Sequence, residues 1–335
     1  MVATHYPSVQ LGYSLSCEEH RPADLVRFAR RAEEVGFTHA MISDHFHPWI
    51  DRQGNSPFVW SVLGGIAEAT QRLHVATSVT CPILRYHPAL IAHSAATIAS
   101  MMPGRFMLGV GTGENLNEHI FGQHWPPYRQ RAEMLQEAVG LIRQLWTGRL
   151  TTHYGKHYTV ENARLYTLPD ELPPIGVAAG GPHAAVLAGE LGDALINFTP
   201  DPDVVKGFEE AGGRGKPRYV QLNVCWAEDE AEARRTAYEI CPNVALKGEL
   251  GQQLPDPRHF EQAVTMLSED DVAEVIVCGP DPDRHLDAIN KCVEAGYERV
   301  HVYQVGSDQE GFFEFYAREI LPRLHQTRSA TLAAD

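Results

Sequence analysis

Residues 10–43, QLGYSLSCEEHRPADLVRFARRAEEVGFTHAMIS, set a β-rich run, a helical pattern and a second β-rich run in close succession. Leu25, Phe28, Ala29 and Ala32 recur at i, i+3, i+4 and i+7, which lines one face of a helix with apolar side chains, and Gly36 can end that helix. Strand, helix, strand is the unit of a parallel sheet with helices packed on its face.

The same alternation extends outward along the chain. β-rich runs at 74–80 and 106–110 are separated by helical patterns at 59–69, 88–101 and 128–146, the last with Leu135, Val139, Ile142 and Trp146 on one face. A short hairpin is expected at 150–160, and the proline-rich stretch 168–174 leads into a strand at 175–179. Further strands are expected at 194–198, 219–227 and 300–304, with helices after His183, after Glu228 and over 310–324. Eight strands in this order predict an α/β chain folded as a single (β/α)8 TIM barrel over 1–335, with insertions near 150–173 and 241–258. The run 275–278 is a ninth strand-like piece, and 242–257 reads as irregular.

A formal charge of −15 disfavours nucleic acid and anionic lipid as partners, because either would meet mostly like charge. The opening MVATHYPSVQ has no basic segment leading into an apolar one, and no apolar run is long enough to span a bilayer, so a cytoplasmic protein is expected. Cys17, Cys81, Cys225, Cys241, Cys278 and Cys292 lack metal-knuckle spacing and read as reduced thiols. His45 and His47 have no third ligand at suitable spacing, so no metal site is expected.

In an α/β barrel the chemistry belongs to the loops that follow the strands. Three clusters fall there: 43–49, 77–82 and 111–117. An alcohol that loses a hydride must also lose a proton, and His45 suits the base. Glu114 supplies a carboxylate for further proton traffic, and Trp49 a flat apolar wall. Gly109, Gly111 and Gly113 fit a dinucleotide loop poorly, since no helix is expected immediately after them. They and Gly180-Gly181-Pro182 are read instead as points where the backbone can approach a planar cofactor.

Four stretches, SDHFHPW (43–49), ATSVTCPILRYHPA (76–89), GVGTGENLNE (109–118) and AAGGP (178–182), give the chain a resemblance to the luciferase-like F420-dependent oxidoreductases. The subgroup resembled contains F420-dependent glucose-6-phosphate dehydrogenase and F420-dependent secondary alcohol dehydrogenase. The resemblance implies a homodimeric barrel with coenzyme F420, a deazaflavin, across its mouth and a cis peptide bond at Ser78-Val79 beneath the ring. It implies that Asp44, Ser78, Val79, Cys81, Thr112, Gly113, Asn117, Gly180, Gly181, His183 and Ala184 contribute to the cofactor site, with His45, Trp49 and Glu114 flanking the reacting carbon.

The sugar-phosphate enzymes of this subgroup hold their substrate with a threonine, two lysines and an arginine. Phe198, Asp201, Gly251 and Val275 fall at or near those positions, and a phosphate dianion facing Asp201 without an arginine fork would be poorly held. Cys81 stands within a TCPI run, followed at 85–86 by Arg-Tyr, that is similar to the alcohol-oxidising branch. A small unphosphorylated alcohol/carbonyl pair is therefore the expected substrate. The alternatives are an F420H2-dependent reductase of C=C or C=N bonds, an FMN-dependent monooxygenase and a noncatalytic flavin-binding protein.

Overall fold

The computed structural model describes residues 9–324; the first eight residues and 325–335 lie outside it. Strands β1 (Gln10–Leu15), β2 (His39–Ile42), β3 (His74–Thr77) and β4 (Phe106–Val110) come first. A hairpin of β5 (Thr151–Tyr154) and β6 (Thr159–Ala163) follows, then β7 (Ile175–Ala178), β8 (Ala194–Asn197), β9 (Arg218–Cys225), β10 (Val277–Cys278) and β11 (Arg299–Gln304). Eight of these pair in parallel in the order β9-β11-β1-β2-β3-β4-β7-β8, and β8 pairs back onto β9, which closes a (β/α)8 barrel.

The helices are α1 (Pro22–Val35), α2 (Val59–Ala69), α3 (Pro88–Met101), the single turn α4 (Asn115–Glu118), α5 (Tyr128–Leu145) and α6 (Pro182–Leu191). After them come α7 (Pro202–Phe208), α8 (Glu230–Ile240), α9 (Leu250–Gln253), α10 (Pro257–Val264), α11 (Glu269–Ala273), α12 (Pro282–Glu294) and α13 (Gln309–Phe315). The stripe read in the sequence is the buried face of α1, and Gly36 ends that helix at φ +109°, a left-handed conformation that a Cβ would oppose.

Strand alternation divides the core. Leu11, Tyr13 and Leu15 of β1 join the helices outside the barrel, whereas Met41, Ala76, Met107, Ala194, Ile196 and Tyr219 fill its interior. Gly109 and Gly176 are required by that filling, because a Cβ on either would lie 2.9 Å from Ile196 Cδ1, and on Gly109 only 1.9 Å from the Thr77 carbonyl oxygen. Gly109 thus serves close packing.

Several boundaries differ from the sequence reading. The ninth strand-like piece is a strand only over Val277–Cys278 and pairs with Val224 and Cys225, above the point where β8 leaves β9. The stretch expected to be irregular carries a 3-10 turn (Pro242–Ala245) and α9, and α10 begins at its end. Helices α7, α10 and α12 were not anticipated, although each opens on the same dipeptide: Asp201, Asp256 and Asp281 cap the helix, and the proline that follows needs no N–H partner. A helix also opens directly after Gly113-Glu114, against expectation, but it is one turn long. Among the described residues no helix is long and apolar enough to cross a membrane, and all six cysteines are free and buried.

Candidate active site

The loops after β1, β2, β3 and β4 meet at the carboxyl end of the barrel, where a cavity of about 730 Å³ opens. Of the catalytic and cofactor residues singled out in the sequence, His45, Trp49, Ser78, Val79 and Glu114 line it. The Ser78-Val79 peptide bond is cis. Gly111 backs it, since a Cβ there would meet Val79 Cγ2 at 2.7 Å.

His45 is held from two sides. Its Nδ1 lies 3.2 Å from the His47 carbonyl oxygen and 3.4 Å from Glu18 Oε1. Trp49 packs against the imidazole with ring centroids 4.9 Å apart, and Phe260 of α10 braces the indole from beyond at 5.2 Å. Glu18 was not anticipated. It follows β1 by three residues, its side chain is only 5% exposed, and its Oε2 accepts hydrogen bonds from Ser16 and Ser43 hydroxyls, each at 2.8 Å. A carboxylate beside one ring nitrogen orients the imidazole and leaves the other nitrogen to accept a proton. The signal lay in the position of Cys17-Glu18-Glu19 just past a strand end, where polar residues in a barrel deserve suspicion.

Glu114 caps α4 by position but its side chain makes no cap bond, and the residue stands in the cavity wall. Beneath it Arg131 of α5, wholly buried, donates from Nη1 to the Gly113 carbonyl oxygen at 3.0 Å. Gly113 itself has φ +72°, and a Cβ on it would strike Cys81 Sγ at 2.5 Å. Its need for glycine is therefore met by packing against Cys81, whose thiol burial pushes well above its usual range.

Asp44, Cys81 and Asn117 lie behind the cavity wall. Asp44 accepts from Thr80 Oγ1 at 2.7 Å and from Arg85 Nη2 at 3.0 Å. Asn117 Oδ1 accepts the N–H groups of Phe46 and His47 at 2.9 and 3.2 Å, holding the 43–49 loop in its bend. Thr112, Gly180, Gly181, His183 and Ala184 lie outside the cavity wall, at the ends of β4 and β7. A Cβ added to Gly180 or Gly181 meets nothing within 4 Å, and α6 begins at Gly181 with no side-chain cap. Open space in front of an uncapped helix start is a ready place for an anion.

The far side of the cavity is formed by Phe198, Val244, Gly251 and Val275, with Arg284 and Lys291 of α12 at its limit. Arg284 is paired with Glu230 at 2.8 Å. Asp201, expected to face the substrate, instead caps α7 through Oδ1, because its place before Pro202 commits it to the helix start. Among the described residues no three His, Cys, Asp or Glu side chains are placed to hold a metal ion.

A closed parallel barrel with an imidazole, two carboxylates and an indole at its carboxyl-end mouth defines a class of barrel enzymes built for a flat redox cofactor. The chain belongs to the luciferase-like monooxygenase family, whose model matches residues 3–299. It is 35% identical over 330 residues to the F420-dependent glucose-6-phosphate dehydrogenase of Nakamurella multipartita, covering 95% of this chain and 97% of that one. The enzyme of the same name from Rhodococcus hoagii is 34% identical, with 94% and 98% covered. Among solved structures, an F420-dependent secondary alcohol dehydrogenase in complex with an F420-acetone adduct superposes with a TM-score of 0.88 at 30% identity, covering 95% of this chain and 99% of that one.

Proposed function

We propose that this protein transfers a hydride between coenzyme F420 and a small unphosphorylated alcohol/carbonyl pair. The observation that carries the reading is the grouping of Glu18, His45, Trp49 and Glu114 around one cavity in a chain whose relatives are F420-dependent dehydrogenases. The residues fit the cofactor: the cavity reaches the Ser78-Val79 peptide, and the open space at Gly180 and Gly181 before α6 suits the phosphate-bearing tail. When bound, F420 supplies the hydride acceptor.

The protein's own groups manage the proton. His45 takes the hydroxyl proton of the alcohol, and Glu18, with Ser16 and Ser43 holding its other oxygen, stabilises the charge that develops on the ring. Glu114 exchanges the proton that accompanies cofactor reduction, and Trp49 keeps water from the reacting carbon. Carbonyl reduction uses the same groups in reverse.

Charge argues for an unphosphorylated substrate. The wall holds four carboxylates, Glu18, Glu114, Glu274 and Asp287, against two cations, Arg284 and Lys291, and Glu230 already engages Arg284. A phosphate dianion would meet net like charge with no free arginine fork. The proposal includes a homodimer in the cytoplasm, the former tested by light scattering on the purified chain. The substrate test follows F420 absorbance with 2-propanol, 2-butanol, cyclohexanol and glucose 6-phosphate. Turnover of the secondary alcohols supports the reading; glucose-6-phosphate turnover exceeding theirs, or none with any alcohol, overturns it.

A further inference from the structure

We propose that Arg85 is a positioning residue that fixes His45 and Glu114 relative to one another by clamping together the loops that carry them. The proposal rests on the reading above that His45 is the base. Arg85 follows β3 and is absent from the cavity wall, and its side chain is 4% exposed; those of Asp44 and Glu118 are each 1% exposed.

The contacts run to both loops. Arg85 Nη2 donates to Asp44 Oδ1 at 3.0 Å and to the Asp44 carbonyl oxygen at 2.8 Å, so it grips the peptide that joins Asp44 to His45. Its Nε lies 3.4 Å from Glu118 Oε1, and its backbone N–H donates to Glu118 Oε2 at 2.8 Å. Glu118 ends the one-turn helix that Glu114 begins. Arg85 thus holds the residue next to His45 and the far end of the helical turn that Glu114 begins.

Four further contacts set the clamp in place. The Arg85 guanidinium lies over the Tyr86 ring at 4.2 Å. Asn117 Oδ1 binds the 46 and 47 N–H groups, and His47 Nδ1 sits 3.0 Å from the Leu116 carbonyl oxygen. A planar guanidinium can reach a carboxylate, a carbonyl and a second carboxylate at once in fixed directions, whereas an ammonium cannot. Two buried acids share this one cation. Asp44 takes the closer pairing, and burial leaves Glu118 raised to about 7 despite the pull of Arg85.

The test compares R85K, E118Q and H45A with the wild-type full chain, using F420 and the secondary alcohol oxidised fastest in the panel above. R85K is expected to lower kcat about ten- to hundredfold, the scale of a misplacement near 1 Å. KM for the alcohol and the F420 dissociation constant, read by fluorescence titration, stay within about threefold of wild type, because Arg85 is absent from the cavity wall. E118Q loosens one end only and gives a smaller loss in the same direction, which keeps the test open should R85K fail to fold. A folded R85K or E118Q with wild-type kcat, beside an inactive H45A, overturns the clamp alone. An H45A protein with wild-type turnover overturns the base assignment, and the clamp with it.

Discussion

Replacing Glu18 by glutamine removes the charge beside His45 and little else. An amide oxygen remains for the Ser16 and Ser43 hydroxyls, and the His47 carbonyl oxygen, 3.2 Å from Nδ1, still orients the ring. Two unit charges about 4 Å apart attract by about 4 kcal/mol at an effective dielectric constant near 20, and by about 1 kcal/mol in water. The His45 and Glu18 side chains are 11% and 5% exposed, and their 3.4 Å separation is at the edge of hydrogen-bond range. A value of about 1.5–3 kcal/mol lies between those limits and suits a largely buried charge contact that is not a hydrogen bond. That charge counts most as the imidazole takes the proton, so at about 1.4 kcal/mol per decade E18Q should slow hydride transfer about ten- to hundredfold. Stopped-flow absorbance of F420 in a single turnover with the alcohol reads this directly. A rate within about threefold of wild type, in a variant of unchanged thermal midpoint, would refute the role given to Glu18.

Glycine substitutions and a pH series give two further kinds of outcome. Alanine at Gly113 meets Cys81 Sγ at 2.5 Å and an unfavourable φ of +72°, and should cost about 1–3 kcal/mol in urea unfolding. Alanine at Gly180 meets no protein atom within 4 Å and should leave that midpoint unchanged while weakening F420 binding; unchanged affinity would remove Gly180 from the cofactor site. The second concerns pH. Burial raises Glu118 from 4.5 to about 7, so the folded chain holds that proton more tightly than the unfolded chain does. Its contribution is therefore complete below about pH 4.5 and is lost as the pH rises through about 7. Glu19, also raised to about 7, acts in the same direction, whereas the buried neutral His301, lowered to about 3, acts oppositely below about pH 6.5. The difference between wild type and E118Q isolates one group: the variant's urea midpoint should fall less between pH 5 and 7.5, and an identical fall contradicts the assignment.

The barrel was legible because strand and helix periods differ, and in the first half of the chain they alternate cleanly. Residues 10–43 alone predict a βαβ unit, and its strands and helix stand where that reading puts them. The second half was harder. Helices α7 and α10 are only seven and eight residues long, too short for a repeat to stand out, and the buried face of α12 is His285, Ile289 and Cys292, only one of them strongly apolar; the repeated Asp-Pro start announces all three. His45, Trp49 and Glu114 could be found as polar or aromatic residues just past strand ends, and all three line the cavity. Glu18 escaped notice and Arg85 stood only as a mark of the alcohol-oxidising branch, because their importance lies in partners far along the chain: Glu18 meets His45 from another loop, and Arg85 joins Asp44 to Glu118. The glycines carry a packing duty that is hidden for a related reason. Gly109, Gly111 and Gly113 look like a ligand loop in sequence, yet Thr77, Val79 and Cys81 from the neighbouring strand and loop occupy the space a Cβ would need.

A fluorescence titration of the purified chain with F420 decides whether the cavity above the barrel holds a deazaflavin. Saturable quenching with a micromolar or tighter dissociation constant, weakened at least about tenfold for FMN, is the predicted result. A chain that leaves F420 fluorescence untouched and binds FMN tightly instead would contradict it.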